Sequence, residues 1–403
     1  MKKKDDIILV TVRGLDVPGI TARLTGIIAA ARGVRIIDIE QTVVHRKLLL
    51  SIFLRFSRDA VGAGREPPLL QQLEKCAQEL GVSLDVEPFE HRYWEGVDGG
   101  DVYAITCLGD DVGAVPLSQI AQILAKYGVN ITKIGKMTQR SLSCVELLVE
   151  APPKLNHRTL SRELLALASD VDIDIAIQPA NISRRAKRLV VMDMDSTLVA
   201  AEAIDELAKK AGVAKEVQAI TRAGMEGNID FTEGLRRRVA LLKDFPFRDV
   251  EKLARKLPLN RGAERLIRVL KKLGYKIAVI SGGFTPFVDH LQKKLGLDFA
   301  FANELEVKKG KLTGKLVGRI IDGAAKAMIL ETIAAAEKLS LDQVIAIGDG
   351  ANDLPMLSKA GMGIAFHAKD IVRKNAHTSI GHHSGLDSIL YLLGISEREL
   401  KGL

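Results

Sequence analysis

Leu189-Val190-Val191-Met192 runs straight into Asp193-Met194-Asp195-Ser196-Thr197. Four apolar residues followed by carboxylates at i and i+2 read as a buried strand that sends both acids to one side of its end. Two like charges that close are costly unless a cation or a shared proton relieves them. Taken alone, the pattern also fits an ordinary Asp-capped turn. Two further apolar runs end in oxygen-rich turns. The run 277–280 leads into Ser281-Gly282-Gly283, and the run 344–347 into Gly348-Asp349-Gly350-Ala351-Asn352-Asp353. A hydroxyl with open backbone amides suits phosphate oxygens. Lys326 lies on an expected helix, 323–336, whose first turn could face the same crevice. Asp, Ser, Asp and one Lys at neighbouring strand ends suit Mg2+-assisted phosphoryl transfer, because Mg2+ takes a few carboxylates and keeps places for water and phosphate.

Such a site needs a parallel sheet beneath it. From Leu189 onward, the runs 189–192, 277–280, 344–347 and 363–365 alternate with helical segments, as in strands buried on both faces. Active sites of such sheets lie at the carboxyl ends of the strands. Between Thr197 and about residue 258 the pattern is helical, at 200–211, 214–223, 231–242 and 247–257, and a helical insert there can act as a lid.

Upstream the chain repeats itself. Asp16 and Gly19 return as Asp110 and Gly113, and Gly33 returns as Gly128 after one inserted residue. Each copy reads strand–helix–strand–strand–helix–strand, the ferredoxin-like βαββαβ order. The polar–apolar alternation at 172–177 predicts a last strand with one wet face. These features predict domains at 1–95, 96–182 and 183–403, with the helical cap at about 198–258. The joints fall at 96–100 and 178–188, and the basic cluster Arg184-Arg185-Lys187-Arg188 reads as solvated linker.

Composition sets outer limits. Hydrophobic residues are 47% and charged residues 27% of 403, which excludes wholesale disorder. No stretch approaches the length of a membrane span, and the apolar run behind Lys2-Lys3-Lys4 is too short for a secretory leader, so a cytoplasmic protein is expected. Three scattered cysteines argue against a disulfide framework. Lys plus Arg is 58 against 50 for Asp plus Glu, but aromatics are only 4%. A basic enzyme drawn to a small anion is expected, not a nucleic-acid binder.

Residues 189–403 resemble the haloacid dehalogenase superfamily, carried by Asp193-Met194-Asp195-Ser196-Thr197, Ser281-Gly282, Lys326 and Gly348-Asp349-Gly350-Ala351-Asn352-Asp353, in that order. The resemblance implies a Rossmann-like α/β fold with a helical cap. It implies Asp193 as the nucleophile that becomes an aspartyl-phosphate, and Asp195 as general acid and then base. Mg2+ would be held by Asp193, the backbone carbonyl of Asp195 and Asp349, with Asp353 in support; Ser281, Gly282 and Lys326 would hold the phosphoryl group. The insert is similar to that of superfamily members acting on O-phospho-L-serine. Glu202 would meet the substrate's ammonium and Arg238 its carboxylate, Asn352 would touch the substrate, and Met225 and Phe231 would wall the pocket. The repeats resemble ACT domains, which bind amino acids at paired interfaces. That implies L-serine or another amino acid seated at the Gly19 and Gly113 turns of a homodimer, although both glycines could serve the turns alone. Another small phosphate, a phosphoprotein, or a sensor with little activity remain alternatives.

Overall fold

The structure, a computed structural model, describes residues 7–57, 68–89, 101–139, 141, 143–153, 155–181, 184, 186–382 and 384–401. The expected joint at 96–100 and Arg185 lie outside them. The chain divides into two compact units, Met1–Gly99 and Gly100–Leu403.

In the first unit, β1 (Ile7–Leu15), β2 (Val34–Val44), β3 (Lys47–Phe56) and β4 (Ser83–Pro88) form an antiparallel sheet in the order β2-β3-β1-β4. Helices Ile20–Ala30 and Pro68–Leu80 cover one face. The period-2 pattern of β3 places Leu48, Leu50, Ile52, Leu54 and Phe56 in the core with Leu24 and Leu73. Ile36, Ile39, Val43, Val44 and Leu49 are exposed in this unit.

The second unit opens with the repeat: β5 (Val102–Leu108), β6 (Asn130–Lys136), β7 (Cys144–Glu150) and β8 (Asp174–Pro179), ordered β6-β7-β5-β8. Its last strand departs from expectation. Asp172 takes a left-handed turn (φ +52), so β8 starts at Asp174, and Asp174, Ile175 and Ala176 are all buried. The face expected to be wet is covered within the unit: Ala176 joins the core of the parallel sheet and Asp174 accepts a hydrogen bond from the Gly381 amide (2.7 Å). The basic linker departs too. Arg184 and Lys187 are buried, because Arg184 pairs with Glu146 and donates to the Leu392 carbonyl, while Lys187 donates to the Asp342 carbonyl.

The parallel sheet comprises β9 (Leu189–Met192), β10 (Lys276–Phe284), β11 (Phe299–Lys308), β12 (Lys311–Val317), β13 (Val344–Gly348), β14 (Met362–Phe366) and β15 (Thr378–Ile380). Their order is β12-β11-β10-β9-β13-β14-β15, with β12 the antiparallel partner of β11. β9 is central, and Met192 lies opposite Val279 on one side and Ile347 on the other. That register brings the three oxygen-rich turns side by side, since neighbouring strands are only about 4.8 Å apart. Helices Ala203–Ala211, Ala214–Met225, Phe231–Ala240 and Phe247–Ala254 form the insert. Among the described residues no helix is long and apolar enough to cross a membrane.

Candidate active site

Asp193 leaves β9 with its side chain turned inward, and it is only 6% exposed. Its Oδ1 accepts from the Met194 amide (2.7 Å) and from Lys326 Nζ (2.8 Å). Lys326, on the helix Gly323–Ala336, is fully buried and also donates to Asp353 Oδ1 at 2.7 Å. Burial alone would lower the lysine's pKa, but Asp193 and Asp353 reverse this and raise it, so the ammonium is fixed. Asp353 also accepts from the backbone amides of Asp349 (3.2 Å) and Gly350 (3.0 Å), which ties the β13 turn to the lysine.

The loop after Asp193 is a wide turn over Met194–Leu198 with Ser196 in the left-handed region (φ +55). It directs Asp195 to a different set of partners. Its carboxylate accepts from the Ala203 amide (2.7 Å) and faces the Ser281 hydroxyl (3.4 Å). A Cβ on Gly283 would sit 2.8 Å from Asp195 Oδ2 and 3.0 Å from Ser281 Oγ, so bare backbone is required there. Ser281 Oγ in turn accepts from the Gly283 amide (2.8 Å).

Burial, and then the Glu202 charge, push Asp195 up to about 7. Burial with Asp353 beside it does the same to Asp349. Asp193 is raised well above the carboxylate range, chiefly by burial and then by Asp353. One lysine among these acids leaves an excess of negative charge. Asp193, Asp349 and Asp353 each place a carboxylate oxygen within 4.8 Å of the others, an all-oxygen donor set that fits a hard divalent cation. The Asp195 side chain lies outside this set, engaged with Ala203 and Ser281.

The residues expected to grip a substrate surround this cluster unevenly. Glu202, at the start of helix Ala203–Ala211, is exposed and accepts from Ser196 Oγ (2.7 Å). The Phe231 ring packs on Gly282, where an added Cβ would be 3.0 Å from its Cζ. Arg238, half-buried, reaches only Gly234 O (3.3 Å) and Thr221 Oγ1 (3.5 Å) among the described residues. Burial lowers its pKa, against the charges of Asp205, Glu202 and Asp195. Asn352 lies in the β13 turn, partly buried. Met225 ends the helix Ala214–Met225, and its side chain lies outside the described residues.

Two positioning residues escape a reading of the sequence, and a third, Thr197, is read there only as part of its motif. Asn260 donates to the carbonyls of Thr197 (2.8 Å), Ser196 (3.0 Å) and Val199 (3.3 Å), holding the wide turn. Asn303 joins Gly282 O (2.9 Å) to the Ile321 amide (2.8 Å). Thr197, fully buried, donates to Asp349 Oδ1 at 2.9 Å. The polar residue that ends the apolar run 299–302 of β11 is a signal for Asn303; nothing local marks Asn260.

Comparison with known proteins agrees with this geometry. Residues 190–358 match the haloacid dehalogenase-like hydrolase family, and residues 6–87 and 102–178 each match an ACT domain. The chain therefore belongs to the haloacid dehalogenase-like hydrolases and carries two ACT domains ahead of the hydrolase fold. It is 40% identical to a phosphoserine phosphatase of Streptomyces coelicolor, covering 98% of this chain and 93% of that one. Identity to a phosphoserine phosphatase of Mycobacterium tuberculosis is 37%, covering 98% and 94%. A solved hydrolase of the same family from Salmonella enterica serovar Typhi is 30% identical with a TM-score of 0.63, covering 72% of this chain and 98% of that one.

Proposed function

We propose that the chain is a Mg2+-dependent phosphatase that hydrolyses O-phospho-L-serine to L-serine and phosphate, the closing step of serine biosynthesis. The observation that carries this is the buried triad Asp193–Lys326–Asp353 beside Asp195, Asp349 and Ser281, supported by relatives matched over nearly their whole length that bear that activity's name. Asp193 and Asp349, with the Asp195 backbone carbonyl, would hold Mg2+, and Asp353 supports them. Bound there, the cation neutralises phosphoryl charge and offsets the repulsion among the acids.

A carboxylate oxygen of Asp193 attacks phosphorus, and the bond from phosphorus to the serine oxygen breaks. Asp195 gives its proton to that oxygen, then takes one from the water that attacks the aspartyl-phosphate, so phosphate leaves and Asp193 is restored. A group whose pKa lies near 7 suits both halves of that exchange. Lys326 and the Ser281 hydroxyl orient the phosphoryl oxygens over Gly282. Glu202 binds the ammonium, exchanging its Ser196 contact for it, and Arg238 binds the carboxylate. Phe231 and Asn352 close the pocket.

Phosphate release from O-phospho-L-serine, measured with Mg2+ and with chelator, tests the reading. Asp193→Asn should fold with unchanged circular dichroism and release nothing above background. Turnover by that variant would remove Asp193 as nucleophile, and turnover of other phosphates alone would remove the substrate.

The division at 1–95, 96–182 and 183–403 belongs to the same proposal, with the ACT domains binding L-serine in a homodimer and inhibiting the phosphatase. The exposed apolar residues around β2 support a pairing surface. Gly19, at the head of helix Ile20–Ala30, is left-handed (φ +102) with open space beside it, which supports a carboxylate seat. In the full chain, Gly19→Ala should remove the non-competitive part of serine inhibition and leave the competitive part. Undiminished non-competitive inhibition would dismiss this regulatory role.

A further inference from the structure

Within the second unit, a cavity of about 800 Å³ lies between the repeat's last helix and strand and the β14–β15 edge of the parallel sheet. It is remote from the carboxylate cluster and lined by a different chemistry. Arg162, Arg184, Lys187, Lys374 and His377 line it, with Asp342 as the acid among the lining residues. Arg184 is already paired with Glu146. The other cations are differently placed. Lys187 is 4% exposed, yet among the described residues its three N–H donors meet a single acceptor, the Asp342 carbonyl. Among the described residues neither Arg162, Lys187 nor Lys374 forms an ion pair. Thr378, on β15, is 5% exposed, and its hydroxyl has no hydrogen-bond partner among the described residues.

The Asp342 charge acts on Lys187 without forming an ion pair; burying an ammonium so thinly countered is unfavourable, and an unpartnered buried hydroxyl adds to the cost. A fold that keeps both beside a cavity of ligand size is arranged to receive the missing acceptors from outside. We propose that this cleft is a binding site for a small, multiply charged anion, a phosphate or a polycarboxylate. Arg162 and Lys374 stand at its exposed mouth, and Lys187 and Thr378 supply the buried donors. Because the cleft joins β8 of the repeat to β15 of the sheet, the bound anion would bridge the two layers.

The test reads the site directly and needs no turnover, so it stands or falls apart from the reaction proposed above. The full chain is acetylated with an N-hydroxysuccinimide ester at constant ionic strength, and labelling of each lysine is followed by mass spectrometry. Inorganic phosphate and citrate are the two probes. At ten times its dissociation constant, the bound anion should slow labelling of Lys374 by about tenfold. The exposed Lys309 and Lys210, far along the chain, should label at an unchanged rate. Arg162→Glu, a substitution at an exposed position, should abolish the protection. Protection by phosphate alone identifies a phosphate-bearing ligand, and protection by citrate alone a polycarboxylate. Unchanged labelling of Lys374 with both anions overturns the proposal. So does equal slowing at Lys309, or full protection retained in Arg162→Glu.

Discussion

Arg238 offers the sharpest separation of substrate recognition from chemistry. Its guanidinium carries five N–H groups, and the described residues accept from two of them, both at long range: Gly234 O at 3.3 Å and Thr221 Oγ1 at 3.5 Å. No carboxylate forms an ion pair with it among the described residues, although Asp205, Glu202 and Asp195 act on it electrostatically. The fold therefore loses little in Arg238→Ala, at most about 1–2 kcal/mol for two weak hydrogen bonds. A substrate carboxylate loses far more, about 2–5 kcal/mol for a half-buried charge pair with one partner removed. At about 1.4 kcal/mol per tenfold, kcat/KM for O-phospho-L-serine should fall by roughly thirty- to several-thousand-fold. The assay is phosphate release from O-phospho-L-serine beside p-nitrophenyl phosphate, which has no carboxylate and should lose less than about threefold. Arg238→Lys should recover part of the loss, since an ammonium keeps the charge but not the bidentate fork. Equal losses on both substrates would refute the carboxylate role, and a large drop in melting temperature would show that Arg238 supports the fold instead.

Three further outcomes follow from the geometry. Gly348→Ala would place a Cβ 2.5 Å from the fully buried Asp353 carboxyl, prying it from Lys326 and the turn amides. It should cost about 3–5 kcal/mol in urea unfolding and abolish turnover, whereas Gly350→Ala crowds the movable Asn352 side chain, with Asp353 Oδ2 at ordinary contact distance (3.5 Å), and should cost less than about 1 kcal/mol. Saturating Mg2+ should raise the melting temperature through binding to the folded chain alone, and Asp349→Asn should remove that rise; an equal rise in the variant would place the cation elsewhere. Burial lowers the pKa of His290 and of His367. The folded chain then binds fewer protons than the unfolded one, so stability is full above the ordinary value of about 6.5 and falls as pH drops below it. Replacing both with Gln should flatten urea midpoints measured between neutral and mildly acidic pH; an unchanged slope would assign the acid sensitivity to other groups.

What the sequence makes legible follows the range over which each physical cause acts. β9 and the helix Gly323–Ala336 are set by local runs of apolar residues, and the structure matches them closely. The site acids are legible because they sit at strand ends, where a buried run must stop and polar atoms collect. Asn260 was hidden for the opposite reason. It holds three carbonyls some sixty residues earlier in the chain, and no local pattern encodes a contact of that span. The basic linker was misjudged on the same ground: four cations in five residues read as solvated until β7 supplies Glu146 and the sheet edge supplies carbonyls. Burial decided by a distant partner is a tertiary fact, and only the fold discloses it.

The two repeats show how one substitution inside a duplicated motif changes what its turn can do. Pro18 and Gly19 lie exposed in the first copy, and Gly19 adopts the left-handed conformation that lets the chain enter the helix with its amides open. In the second copy Val112 replaces the proline and is fully buried among Ile105, Ile120 and Ile173, while Gly113 has an ordinary negative φ of −84. A Cβ at Gly113 would meet the Asp111 carboxylate at 3.1 Å, so the space that an incoming carboxylate would need is held by an acid of the same charge. Both the packing and the charge close the second turn to an anionic group, and neither closes the first. The expected outcome is one carboxylate seat per chain, at Gly19: Gly113→Ala should leave serine inhibition as it stands while Gly19→Ala removes its non-competitive part, and weakened inhibition in Gly113→Ala would refute this.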